Sequence, residues 1–336
     1  MSFKKFSFLN LSNVKKNINF KVVTLIFLIF LFLSSNLISL SQNFHQMNML
    51  IGYIPHVQFA PLYVGIEKKI FEKYGLKLNI DYGFGRDIFG LLMAEKADFA
   101  LTDADELIIS AEKKMGLKAF YQYYQDFPIS IVKLGNDNDP KSLIGKKIGL
   151  PDFYGTNYIG TLLFLNKYQL LNKVEIVKIG YTQIQSLVSK KVDAVACYIN
   201  NEPIQLRNNG YNITEWKIKD FSDLVGGAFV SSEDHLKKNS EYFINFIKAL
   251  NESILYSYNN KNETLDIAYK VVGTLNPDQR KFWADVLDAT FQLILGKNNN
   301  IGVLPVEKYL NTIEVLYNLN FIKSKIKTLD ILHFYQ

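Results

Sequence analysis

From Ile51 to Ile80 the chain reads IGYIPHVQFAPLYVGIEKKIFEKYGLKLNI. A short apolar run leads into a loop holding Pro55, His56, Gln58 and Phe59, then a helical stretch that stops at Gly75, then a second apolar run. Gly after the last helical residue is a usual helix stop. The order strand, loop, helix, strand predicts a parallel pair, because only a crossover connection returns the chain in the same direction. A chain opening this way is constrained to an α/β lobe. In such lobes ligands sit beyond the C-terminal ends of the strands, so the Pro55 to Pro61 loop is expected to carry function.

Residues 1–21 hold Lys4, Lys5, Lys15, Lys16 and Lys21 and no acidic residue, and Val22 to Leu33 is apolar except for Thr24. A basic start and a short apolar core read as a secretory leader over residues 1–41. Ser39-x-Ser41 offers a cleavage site, and no Cys follows to support a lipid anchor. Residues 22–40 come close to the ~20 residues of a spanning helix, so a retained anchor is the alternative. The protein is expected outside the cytoplasm, in the periplasm or on the outer face of the membrane. The formal net charge is +6, and the five leader lysines account for five of those charges. The remainder is nearly neutral, which removes any nucleic-acid footprint. A single Cys, Cys197, excludes an intramolecular disulfide.

Strand and helix patterns alternate through the next two hundred residues. Strands are expected at 50–54, 76–80, 99–101 and 119–124, with helices at 63–74 and 104–115. Further strands are expected at 147–150, 174–179, 194–198 and 212–217, with helices at 156–168, 183–189 and 202–208. Each lobe is then expected to hold a parallel-dominated sheet. The polar turn Gly135-Asn136-Asp137-Asn138-Asp139-Pro140 is the expected first crossing between lobes, and Val225-Gly226-Gly227-Ala228 the second. This places a first lobe at 48–134, a second at 140–225, and a return to the first at 226–336. Phe243, Phe246, Ile247, Leu250, Ile254 and Leu255 stand at helical spacing and announce a helical C-terminal section.

Five loops follow strand ends: Pro55–Pro61, Thr102–Asp105, Tyr123–Pro128, Pro151–Asn157 and Tyr198–Pro203. All carry polar groups and four add aromatic rings, a combination suited to a planar, hydrogen-bonding heterocycle. Strand-end aromatics also commonly cap a core, and with 25 Phe and 20 Tyr some fall there by chance.

The opening GYIPHVQFAPLYVGIEKKIFEKYGL, with KADFALTDADELIISAEKKMG, KKIGLPDFYGTNYIG and KVDAVACYINNEPIQLRNNGY in order, resembles bacterial ABC-importer substrate-binding proteins of the thiamine-precursor, riboflavin and sulfonate type. The resemblance covers about residues 50–230. It implies a two-lobed periplasmic-binding-protein fold of type II that closes on a small aromatic heterocycle and hands it to an ABC permease, acting as a monomer. It is nearest to the riboflavin-binding branch, because His56, Val57, Gln58 and Phe59 stand where the thiamine-pyrimidine branch carries an Asn-Thr-Asn-His-like loop. Riboflavin is therefore the first expected ligand, and a thiamine pyrimidine such as formylaminopyrimidine or hydroxymethylpyrimidine the second.

Carried onto this sequence, the resemblance implies contacts from Tyr53, Gln58, Phe59, Tyr63, Asp103, Asp105, Tyr124 and Gln125 on one lobe. Tyr154, Gly155, Thr156, Tyr198, Asn201 and Glu202 close from the other. Rings would stack on the heterocycle, Glu202 or Asp105 would accept from N–H groups, and Gln58 and Asn201 would meet carbonyls. Glu202 has an alternative role in favouring its own helix dipole. Some relatives of the fold are pyrimidine synthases that consume pyridoxal phosphate and use a Cys-rich iron motif. One Cys and the scattered His45, His56, His235 and His333 do not fit that chemistry, so neither catalysis, a cofactor nor a metal is expected. An anchored ligand-sensing domain is the remaining rival.

Overall fold

The computed structural model describes residues 44–83 and 86–335. The leader, with its expected cleavage or anchoring, lies outside the described residues. Among the described residues no helix is long and apolar enough to cross a membrane.

The first sheet contains β1 (His45–Ile51), β2 (Leu76–Tyr82), β3 (Phe99–Asp103) and β4 (Leu117–Gln122). The second contains β5 (Ile129–Leu134), β6 (Lys147–Leu150), β7 (Glu175–Lys178), β8 (Ala194–Tyr198) and β9 (Ile213–Lys217). β10 (Gly227–Ser232) returns to the first sheet, giving the orders β2-β1-β3-β10-β4 and β7-β6-β8-β5-β9. On β1, Met47, Met49 and Ile51 enter one core while Leu50 enters another, as a strand covered on both faces requires.

Helices of the first lobe are α1 (Ala60–Glu67), α2 (Ile70–Lys73), α3 (Ile88–Met93) and α4 (Ala104–Ala111). α5 (Gly155–Lys167), α6 (Gln183–Val188) and α7 (Glu202–Asn208) belong to the second lobe. The helix expected over 63–74 is two helices, because Lys69 takes a left-handed conformation at φ 57° between them. The C-terminal section consists of α8 (Glu233–Lys238), α9 (Ser240–Asn259), α10 (Lys261–Val272), α11 (Arg280–Leu295) and α12 (Val306–Asn318). α9 buries Phe243, Phe246, Leu250 and Ile254. Phe246 meets Phe99 of β3 at 4.5 Å between ring centroids, and Phe243 meets Phe120 of β4 at 5.0 Å, welding this helix to the first sheet.

In each sheet four strands share one direction and a fifth opposes them. β10 is antiparallel to both β3 and β4, and β5 to both β8 and β9. These two strands are the ones the chain enters on crossing between lobes. It arrives at the cleft end, where the other strands finish, so the entering strand must run away from the cleft.

β5 pairs within the second sheet, so the first crossing lies between Gln122 and Ile129 rather than at Gly135–Pro140. The Gly135–Pro140 cluster is a turn inside the second lobe, tied by Gly135 N–H donating to Asn212 O at 2.8 Å. A turn between consecutive strands of one sheet and a linker between lobes use the same residues, so composition does not separate them.

The two crossings are bound side by side. The buried Gln122 amide donates to Tyr124 O at 2.9 Å, Gly227 O at 3.0 Å and Gly226 O at 3.1 Å. The Tyr309 hydroxyl, from α12, donates to Gln122 Oε1 at 2.9 Å. Asp126 on the first crossing meets Lys219 on the second at 3.0 Å and Lys308 of α12 at 2.8 Å.

Candidate functional site

A cavity of about 330 Å³ lies between the C-terminal strand ends of the two sheets. From the first lobe it is walled by Tyr53, Gln58 and Phe59 after β1, Thr102, Asp103 and Glu106 after β3, and Tyr124 after β4. Tyr154, Gly155 and Thr156 after β6, Tyr181 and Gln183 after β7, and Tyr198, Asn201 and Glu202 after β8 face them.

Of the fourteen residues carried over from the resemblance, three do not line this cavity. Tyr63 is buried in α1 beneath it, where its hydroxyl accepts from His56 N–H at 3.0 Å and from Tyr82 at 3.3 Å. Asp105 lies to the side, accepting from Thr156 Oγ1 at 3.0 Å. Gln125 turns away and donates from Nε2 to Val303 O at 3.1 Å. The other eleven, Tyr53, Gln58, Phe59, Asp103, Tyr124, Tyr154, Gly155, Thr156, Tyr198, Asn201 and Glu202, are brought together on its walls.

Glu106, rather than Asp105, is the acidic side chain that α4 presents to the cavity. One residue along a helix turns the side chain by about 100°. Asp103 precedes the helix and Glu106 lies three residues on, the spacing that shares a helix face. That spacing was available as a signal for Glu106, just as the end of β7 was for Tyr181.

His56 is not a surface loop residue. It is 7% exposed, accepts from Gln58 N–H through Nδ1 at 3.3 Å, and packs edge-on against Trp283 at 5.5 Å. Burial lowers its pKa to about 4, so it is neutral and serves to shape the loop that carries Gln58. Tyr124 donates to Gln58 Oε1 at 3.0 Å, which holds the carboxamide toward the cavity.

The site is acidic, and its carboxyl groups are largely removed from solvent. Burial raises Glu202 to about 7, opposed by its own N–H and that of Tyr198, which donates to Oε2 at 3.2 Å. Burial also raises Glu106 to about 7, with the Asp103 charge adding to the effect. Asp103 and Asp105 are both shifted upward by burial, and for Asp105 by the Asp103 and Glu106 charges as well. The cationic side chain on the described wall, Arg86, is committed to Asp81 at 2.6 Å. Six rings, those of Tyr53, Phe59, Tyr124, Tyr154, Tyr181 and Tyr198, share the walls with these acids. Such walls can sandwich a flat ring and accept hydrogen bonds from its N–H or O–H groups. Among the described residues no group of three or more His, Cys, Asp or Glu could hold a metal ion.

Two side-chain hydrogen bonds join the lobes at this cavity. The Tyr198 hydroxyl donates to Asp103 Oδ2 at 2.8 Å, and Thr156 Oγ1 donates to Asp105 Oδ1. Farther back, Asn200 Nδ2 donates to Thr290 Oγ1 of α11 at 3.0 Å.

The chain is 26% identical over 268 residues to the riboflavin-binding protein RibY of Chloroflexus aurantiacus, spanning 74% of this chain and 76% of that one. It is 23% identical over 297 residues to the formylaminopyrimidine-binding protein of Halalkalibacterium halodurans, spanning 84% and 87%. In fold it is similar to the periplasmic aliphatic sulphonate binding protein SsuA from Escherichia coli, with a TM-score of 0.69 at 11% identity over 86% of this chain and 92% of that one. This chain and the SsuA structure share a periplasmic binding-protein fold. The family model described as NMT1/THI5 like matches residues 56–264, more than half of the sequence, and the chain belongs to that family.

Proposed function

We propose that this protein is the extracytoplasmic substrate-binding component of an ABC importer. It captures a planar aromatic vitamin or vitamin precursor between its lobes and presents it to a membrane permease. Riboflavin is the first candidate and a formylaminopyrimidine or hydroxymethylpyrimidine the second. One observation carries the reading: an interlobe cavity of about 330 Å³ whose aromatic walls hold Asp103, Glu106 and Glu202 and whose Arg86 is already paired. That volume falls at the lower end of the ~300–1,000 Å³ usual for small-molecule sites. The likeness to proteins named for riboflavin and formylaminopyrimidine binding supports the ligand order. Those relatives are named as binding proteins, which supports binding over catalysis. The basic, apolar leader supports export, with cleavage or anchoring as its two outcomes. The working unit is taken to be a monomer, as the resemblance to such binding proteins implies.

Native purification, followed by absorbance and mass spectrometry of the released ligand, tests this. A flavin spectrum is expected, with quenching of flavin fluorescence on titration of the emptied protein. Release of a pyrimidine would favour the second candidate, and release of an aliphatic sulfonate would defeat the reading.

A further inference from the structure

We infer that the cavity excludes negatively charged ligands and that Glu106 is the specificity-determining residue that does so. This rests on the ligand reading above and deepens it, since it separates a heterocycle from its phosphorylated form.

A thirteen-residue helix, α5, starts at the cavity with Gly155 and carries no side-chain cap at its N-terminus. The exposed N–H groups of such an end, aligned with the helix dipole, are what ordinarily receive an anionic group of a ligand. Here the opposite lobe brings an anion of its own. A Cβ placed on Gly155 would lie 3.3 Å from Glu106 Oε1, so the carboxyl group of Glu106 rests against the first residue of α5. Thr102 Oγ1 reaches Glu106 Oε2 at 3.5 Å from behind. A side chain at Gly155 would press that carboxyl group back by a few tenths of an ångström.

The remaining charges do not offset it. Asp103 and Glu202 stand on the same walls, Arg86 is held by Asp81, and Lys178 is held outside by Asp152 at 2.5 Å. A phosphate or sulfonate entering this space meets carboxyl groups from both lobes in a medium of low dielectric, where like charges repel by several kcal/mol. A hydroxyl or N–H group in the same position meets acceptors. The discrimination is therefore a repulsion built against the wrong ligand as much as an attraction for the right one.

The test is a pair of titrations at pH 8, above the value of about 7 to which burial brings Glu106. The purified full chain is titrated with riboflavin and riboflavin 5′-phosphate, and with hydroxymethylpyrimidine and its phosphate. One parent compound is expected to bind at least about thirtyfold more tightly than its phosphate. Glu106→Gln, verified as folded by circular dichroism, is expected to narrow that ratio to about fivefold or less, whereas Glu106→Asp retains most of it. Equal binding of parent and phosphate, or an unchanged ratio in Glu106→Gln, would overturn this inference alone. Binding of neither parent would overturn the ligand reading, and the inference with it.

Discussion

The hydroxyl of Tyr198, at the end of β8 in the second lobe, donates a hydrogen bond to Asp103 at the end of β3 in the first, at 2.8 Å. Both residues line the cavity, and the bond makes them partners of each other across it. Burial and the loss of water raise Asp103, and the Tyr198 hydroxyl is itself pushed up by burial and the Asp103 charge. The bond offsets part of the cost of burying Asp103 where the lobes meet.

Tyr198→Phe removes that bond while keeping the ring. The apparent affinity for riboflavin is expected to fall about fivefold to tenfold, as the loss of one buried hydrogen bond of about 1 kcal/mol implies. Asp103→Asn combined with Tyr198→Phe should cost less than the sum of the two single changes. Strict additivity in this double-mutant cycle would show that the pair does not act as a unit.

Glu202→Gln should make the protein more stable at pH 8 and leave it unchanged at pH 4. The folded-state pKa of Glu202 is raised from 4.5 to about 7, so the folded protein holds its proton longer than the unfolded chain does. The stability contribution is complete below pH 4.5 and is lost as pH rises through 7. At pH 8 the ionised carboxylate costs on the order of 3 kcal/mol, which Gln avoids. Denaturant unfolding at the two pH values measures the difference, and equal shifts at both would reject the assignment.

Acid should act in the other direction through His56. Its folded pKa of about 4 lies below its ordinary value of 6.5 because burial disfavours the charged ring. Unfolding takes up a proton between these values, so stability present above pH 6.5 falls progressively toward pH 4, by about 3 kcal/mol in all. His56→Gln should flatten the fall of midpoint denaturant concentration over pH 6.5 to 4. A slope equal to the parent protein's would refute this.

Asp126→Ala should destabilise the fold by roughly 2–3 kcal/mol, because it strands Lys219 at a partly exposed site and leaves Lys308 with only Asp223 and the Gln125 carbonyl. Those lysines hold Asp126 below the ordinary carboxylate range, although burial opposes them. Its contribution is present above the unfolded value and is lost as pH falls through the folded one. The Asp126→Ala deficit measured by urea unfolding should accordingly shrink in strong acid. A deficit independent of pH would point to packing instead of charge.

The paired crossings also explain a glycine. A Cβ at Gly226 would lie 2.5 Å from Asp126 O and 2.8 Å from Tyr124 O, both main-chain atoms. Gly226→Ala is expected to cost about 2 kcal/mol or more, since the crossings must part to admit it. A variant as stable as the parent in thermal unfolding would disprove the close approach.

Much of the molecule was legible in the sequence because periodicity is a local property. β6, β8 and α7 fall on the residues that alternation predicted, and the strand-end loops do converge on one cavity. β5 was hidden, since Ile129 to Leu134 is a short six-residue stretch, broken by Ser130 and Lys133, between a loop and a turn, without a helix of its own to mark it. Within the site, proximity in sequence misled. Asp105 and Gln125 each neighbour a wall residue, Glu106 and Tyr124, yet both side chains leave the cavity, because successive residues of a helix or extended segment face different ways.

The sequence by itself determined the α/β alternation, the helical C-terminal section and the loops from which a site could be built, all of which follow from side-chain period and turn chemistry. Only the tertiary structure decided which lobe β5 joins, that Tyr198 meets Asp103, and that Glu106 rests against the start of α5. Those relationships join residues dozens of positions apart, and they are fixed by the packing of two sheets around shared crossings, which no local pattern encodes.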